Sequence, residues 1–131
     1  GELPKLTGIH LHVYDFGAGI DQSQLRKWRM LADIFGWQLA ISEYACVGGT
    51  QAESAACLPL LTSTLDEVLQ PMAMFVFSYR HRPPQGWPET DLTNADGSLT
   101  AVGTAWWAMT SLCATTKTEK SVKLFFPSAR R

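Results

Sequence analysis

The sequence predicts an α/β protein made of three consecutive β-α units of parallel sheet, and three observations lead there. Runs rich in apolar, β-branched and aromatic residues at 7–14, 37–43 and 72–79 read as strands. Each is followed by a loop containing glycine or proline, and then by a segment with apolar residues at helical spacing. The second and third runs are almost continuously apolar, as parallel strands covered by helices are.

The first unit opens with TGIHLHVY at residues 7–14, where His10 and His12 alternate with apolar residues and so share one face. DFGAGI at 15–20 is a glycine-rich loop. Asp21 is placed to cap the following helix, with Gln24 at the N3 position of a capping box. Leu25, Trp28, Leu31, Ala32 and Phe35 form its apolar stripe, and Gly36 is the expected terminator.

The second unit has its strand at 37–43 and a loop at 45–52. Pro59 argues for a turn first and a helix starting near that proline, since proline is tolerated at the first helical position. Leu60, Leu61, Leu65, Val68 and Leu69 supply that helix with an apolar side. In the third unit, MAMFVFSY at 72–79 is the strand and residues 80–94 form a long polar loop with Trp87 in its middle. A helix from Ser98 or Leu99 to Cys113 follows, with Ser98 as its cap and the tryptophans at 106 and 107 within it. Residues 1–116 are thereby one segment, and 117–131 a basic and apolar tail or terminal strand. Three buried-looking strands leave two sheet edges to protect, which favours the C-terminal part of a (β/α)8 TIM barrel over a free-standing small sheet.

Composition narrows the functional classes. With 46% hydrophobic residues, 18% charged residues and a formal charge of −1, the chain is expected to fold and lacks the basic balance of a nucleic-acid binder. No apolar run reaches the ~18–20 residues of a membrane span, and no signal peptide opens the sequence. Cys46 and Cys57 are close enough to close a loop by a disulfide, which fits an extracellular protein; buried free thiols are the alternative. Three dispersed cysteines and an HxH pair lack the spacing of a metal site, so neither metal nor organic cofactor is expected.

Glu43 is the leading candidate for chemistry. A carboxylate at the carboxyl end of an apolar strand costs free energy if buried unpaired, and that end of an α/β strand is where ligands bind. Such a residue can serve as the nucleophile of a retaining glycosidase. His12, nearer the strand end than His10, is placed to meet a sugar hydroxyl or the Glu43 carboxylate. Tyr44 and Tyr79 are candidates to orient that carboxylate, and Asp15 to bind substrate or cap its loop. Arg80, His81 and Arg82 form a polar rim, and Trp87 is a flat surface for stacking a sugar. Trp28, Trp37, Trp106 and Trp107 carry less functional weight, since helix or strand packing explains most tryptophans at such positions. Glycosidases need a second carboxylate; within this chain Asp15 is the best placed, and an upstream residue outside it is better.

The segments HLHVYDF (10–16), FGWQLAISEYAC (35–46) and LTNADGSLTAVGTAWW (92–107) resemble glycoside hydrolase family 128, in the order of the last third of its barrel. The resemblance covers about residues 7–113 and implies a retaining, endo-acting enzyme on β-1,3-glucan, located in the extracellular space or cell wall. It makes Glu43 the nucleophile on the seventh barrel strand, and His12 and Tyr14 sugar-site residues on the sixth. Phe77 and Tyr79 stand where the family commonly has an aromatic platform, without its tryptophan. The acid/base glutamate of the family lies on an earlier strand, so the missing barrel segment or a second copy is an implied partner. A truncated carbohydrate-binding protein and a self-associating partial barrel are the alternatives to an enzyme.

Overall fold

The computed structural model describes residues 6–77 and 87–115 and, within the last helix, side chains up to position 111. Three strands, β1 (Gly8–Asp15), β2 (Gln38–Cys46) and β3 (Ala73–Val76), form one parallel sheet in the order β1-β2-β3. The helices α1 (Gln22–Phe35), α2 (Gln51–Leu69) and α3 (Ala101–Thr115) alternate with them, and a short 3-10 turn spans Pro88–Thr90. Three consecutive parallel β-α units thus make an open sheet, the architecture of part of a TIM-barrel-like fold. The expected fold class stands.

Each boundary has a local cause. At the start of α1 the Asp21 side chain accepts from the Ser23 N–H, so the cap is the expected one, although the bond goes to the second helical residue. Gly36 ends the helix in the left-handed region at φ 66°, which leaves its N–H on Asp33 O and that of Trp37 on Ala32 O. Helix α2 begins eight residues before Pro59. Thr50 and Glu53 form a capping box, and that start outweighs the single hydrogen bond the proline removes within the helix. The expected start near Pro59 is corrected accordingly. Strand β2 runs three residues beyond 43, because pairing with β1 continues to Asp15↔Cys46.

Helix α3 starts at Ala101, later than expected. Ser98 bonds to Asp96 in the preceding turn, while Thr100 Oγ1 accepts from the Gly103 N–H and takes the capping role. Gly103 is required there for a different reason: a Cβ would lie 2.0 Å from Leu92 O. The expected third strand reaches Tyr79, and its portion beyond Phe77 lies outside the described residues, as do residues 80–86 of the expected loop and the 117–131 tail.

One core lies between the sheet and the helix layer. Leu39, Ile41 and Tyr44 of β2, Val13 of β1 and Met74 of β3 meet Leu25 and Ala32 of α1, and Leu58, Leu61, Leu65 and Leu69 of α2. Helix α2 is central and packs against both α1 and α3. Trp106 is buried on α3, but Trp107 is 56% exposed, so packing does not account for that tryptophan. Cys46 and Cys57 form the disulfide, tying the last residue of β2 to α2, and Ser54 Oγ donates to Cys46 O beside it.

The opposite face of the sheet has no helix over it among the described residues. It would be the interior wall of a closed barrel. Whether a residue of β2 faces the core or this open side is set by a β-bulge. Leu11 pairs with Ile41 but His12 pairs with Glu43, and Ile41 pairs with Met74 while Tyr44 pairs with Val76. Strand β2 therefore spends one extra residue at Ser42, and the alternation of faces reverses after it. Strict alternation would continue Leu39 and Ile41 with Glu43 in the core and put Tyr44 outside. The bulge instead buries Tyr44 to 1% exposure, a gain of roughly 2–3 kcal/mol for its ring, and leaves the carboxylate out of the apolar core.

Candidate active site

Strand β1 places His10, His12 and Tyr14 in a row along the open face, with the first two rings 5.8 Å apart and the next two 6.5 Å apart. The bulge in β2 brings Glu43 alongside the upper half of that row. The Tyr14 hydroxyl donates to Glu43 Oε2, and His12 Nδ1 lies 3.5 Å from the same oxygen. With both donors on Oε2, the described contacts leave Oε1 available on a side chain that is 35% exposed. Burial, followed by the hydrogen bond to Glu43 and its negative charge, pushes the Tyr14 phenol up to about 12. Tyr14 therefore remains a proton donor to the carboxylate at neutral pH. When His12 is protonated, its contact with Glu43 becomes an ion pair.

Above the carboxylate, the carboxyl-end loops assemble an aromatic group. The Tyr14 ring lies 5.2 Å from Trp87, 5.9 Å from Phe77 and 6.3 Å from Phe16, centroid to centroid. Trp87 also meets Phe16 at 6.0 Å and Phe77 at 6.1 Å, in edge-on arrangements. These spacings are those of rings packed on one another. The cluster is thus a wall rather than a hollow cage, and Phe16 and Trp87 expose 61% and 36% of their surface. A wall of this kind places apolar aromatic surface beside a carboxylate.

Glu43, His12, Tyr14, Phe77 and Trp87 are therefore brought together. Tyr44 is not. The reversal at Ser42 turns it into the core, where its hydroxyl accepts from Thr62 Oγ1 at 3.2 Å and burial raises its pKa. It neither orients Glu43 nor reaches the open face; Tyr14 performs the orientation instead. Asp15 sits at the right end of the sheet, but its Oδ1 accepts from the Gly17 and Gly19 N–H groups at 2.9 and 3.1 Å and so orders the glycine loop. Its other oxygen lies 3.8 Å from Cys57 Sγ, which as a disulfide sulfur has no proton to give. Tyr79, Arg80, His81 and Arg82 lie outside the described residues.

Two residues of this region escaped the sequence reading. Phe16 was hidden in a loop that reads as a glycine turn, although an aromatic beside two glycines in a strand-end loop is a usable signal. Ser42 was passed over inside an apolar strand. Its signal is the adjacent polar pair Ser42–Glu43, which no alternating strand can place on one face without a bulge.

Glu89, on the 3-10 turn, is a further carboxylate at the same rim; its Oε1 accepts from the Gly48 N–H at 3.1 Å and links the loops after β2 and β3. Among the described residues no group of three or more His, Cys, Asp or Glu side chains could hold a metal ion. No helix among them is long and apolar enough to cross a membrane. The arrangement defines a class: a partial barrel-type α/β scaffold with a paired carboxylate and an aromatic wall at the carboxyl end of its strands. Compared with known proteins, the chain matches no family model, no curated protein and no solved structure.

Proposed function

We propose that the chain is the β-glucan-binding, nucleophile-bearing part of a retaining glycoside hydrolase of the β-1,3-glucanase type, as its likeness to glycoside hydrolase family 128 suggests. The observation that carries the reading is the Glu43 carboxylate on the open face. One of its oxygens is held by Tyr14 and approached by His12, and an aromatic wall stands beside it. In this reading Oε1 of Glu43 attacks the anomeric carbon and the glycosidic C–O bond breaks. A separate carboxylic acid protonates the departing oxygen, and water then releases the sugar with retained configuration. Tyr14 keeps the carboxylate oriented through both steps, and Phe16, Phe77 and Trp87 hold the sugar rings. The general acid belongs to another segment, since Asp15 and Glu89 are engaged by backbone N–H groups. The disulfide between Cys46 and Cys57 supports an extracellular or cell-wall setting.

That engagement of Asp15 and Glu89 also favours a second reading, a carbohydrate-binding protein that retains the sugar face without turnover. The two separate on a laminarin-type β-1,3-glucan. The hydrolase reading expects release of reducing sugar by the protein joined to its acid/base segment, abolished in Glu43→Gln with glucan affinity kept. The binding reading expects saturable affinity without release, weakened up to about tenfold in Trp87→Ala, the scale of one lost aromatic contact. Neither release nor binding by folded protein would refute both.

A further inference from the structure

Strand β2 carries one residue more than its neighbours, and that residue decides where Glu43 points. Ser42 occupies the break in register against β1, between Leu11↔Ile41 and His12↔Glu43, and the register against β3 shifts over the same stretch of β2. Two side-chain contacts sit on the break. Ser42 Oγ is 2.8 Å from His10 Nδ1 and 3.4 Å from the Leu11 carbonyl oxygen. With a proton on His10 Nδ1 the donors run in one direction, from the imidazole N–H to Ser42 and from the Ser42 hydroxyl to Leu11.

The residue added at a bulge lacks a ladder partner, and these bonds supply one. Burial of Tyr44 demands an extra residue somewhere before position 44. Ile41 and Tyr44 are both in the core, so the extra residue is Ser42 or Glu43, and apolar burial, being non-directional, does not choose between them. With Glu43 as the extra residue in place of Ser42, Ile41 and Tyr44 would both stay buried, but Ser42 rather than the carboxylate would pair with His12.

We infer that His10 and Ser42 are positioning residues whose hydrogen bond pins the bulge at Ser42 and so holds the Glu43 carboxylate against Tyr14 and His12. The pair acts through Glu43 and needs no contact with sugar. Its catalytic meaning rests on the proposed role of Glu43, whereas its geometric content is independent of any turnover.

The test uses the whole chain with tyrosines labelled at Cζ with carbon-13, followed by NMR through an alkaline titration without substrate. In the wild type Tyr14 is expected to titrate at about 12, and Glu43→Gln fixes how far that value falls when the carboxylate charge is lost. Ser42→Ala and His10→Ala are expected to bring Tyr14 most of the way down to the Glu43→Gln value. Ser42→Thr, which keeps the hydroxyl, is expected to titrate as the wild type. His10 is exposed, so its variant decides the matter should Ser42→Ala fail to fold. Wild-type titration of Tyr14 in the folded alanine variants overturns the inference, and so does a threonine variant that behaves like alanine. A glucan assay that failed would remove the hydrolase reading and leave this result untouched.

Discussion

The helix-covered face of the sheet presents Val13, Leu39, Ile41, Tyr44 and Met74 to the core, while the open face presents His10, His12, Tyr14, Ser42 and Glu43. Both sets come from the same two or three strands, with the residues interleaved along the chain. The covered face is held by area removed from water, which tolerates any apolar side chain of the right volume. The open face is held by directional contacts that specify an oxygen, a ring nitrogen and a hydroxyl. Fold stability and the proposed chemistry therefore rest on different residues, with the bulge at Ser42 as the point where the faces of β2 exchange.

The largest effect that separates the faces is expected from Glu43→Gln. In the protein complete with its acid/base it should lower glucan hydrolysis by at least about 10⁴-fold, the scale of deleting a catalytic nucleophile. Its urea unfolding free energy should change by less than about 1 kcal/mol, since the site is half open to solvent. Retained turnover would remove Glu43 from the chemistry. On the other face Leu65→Ala, at a fully buried position of α2, should cost about 2–5 kcal/mol in the same unfolding experiment. Glucan affinity per folded molecule should be unchanged. A loss of affinity in the fraction that remains folded would show that the faces are coupled.

The smallest effect concerns Tyr14. Its folded pKa of about 12 lies above the ordinary 10.0, so its contribution to stability is complete below pH 10 and is lost as the pH rises through 12. Tyr14→Phe should flatten the fall in stability over that window. It should not abolish it, because burial raises the pKa of Tyr44 in the same direction. An identical alkaline profile in wild type and Tyr14→Phe would contradict the contact with Glu43.

Much of the covered face was legible in the sequence, because apolar periodicity reports burial directly. The stripe Leu25–Phe35, the cap at Asp21 and the stop at Gly36 follow from local rules that tertiary contacts did not override. The start of α2 departs from the expectation at Pro59 because the Thr50–Glu53 capping box starts the helix ahead of the proline. On the open face, position along the strand located Glu43 and His12 and the family resemblance supplied Tyr14, but adjacency to Glu43 suggested the wrong side for Tyr44. A bulge reverses every later residue, and nothing in a two-residue period announces it except the polar pair at Ser42 and Glu43. The aromatic wall was only partly visible, since Phe16 and Trp87 meet across loops more than 70 residues apart.

The proposed nucleophilic role of Glu43 can be tested independently of any general acid by a 2,4-dinitrophenyl 2-deoxy-2-fluoro-β-laminaribioside. Its dinitrophenolate leaves without protonation, and the fluorine slows hydrolysis of the glycosyl ester formed on the attacking carboxylate. A single added disaccharide is expected by intact mass, mapped by peptide sequencing to Glu43 and absent in Glu43→Gln. A folded protein that takes no label, or takes it on another carboxylate, would contradict the proposed role.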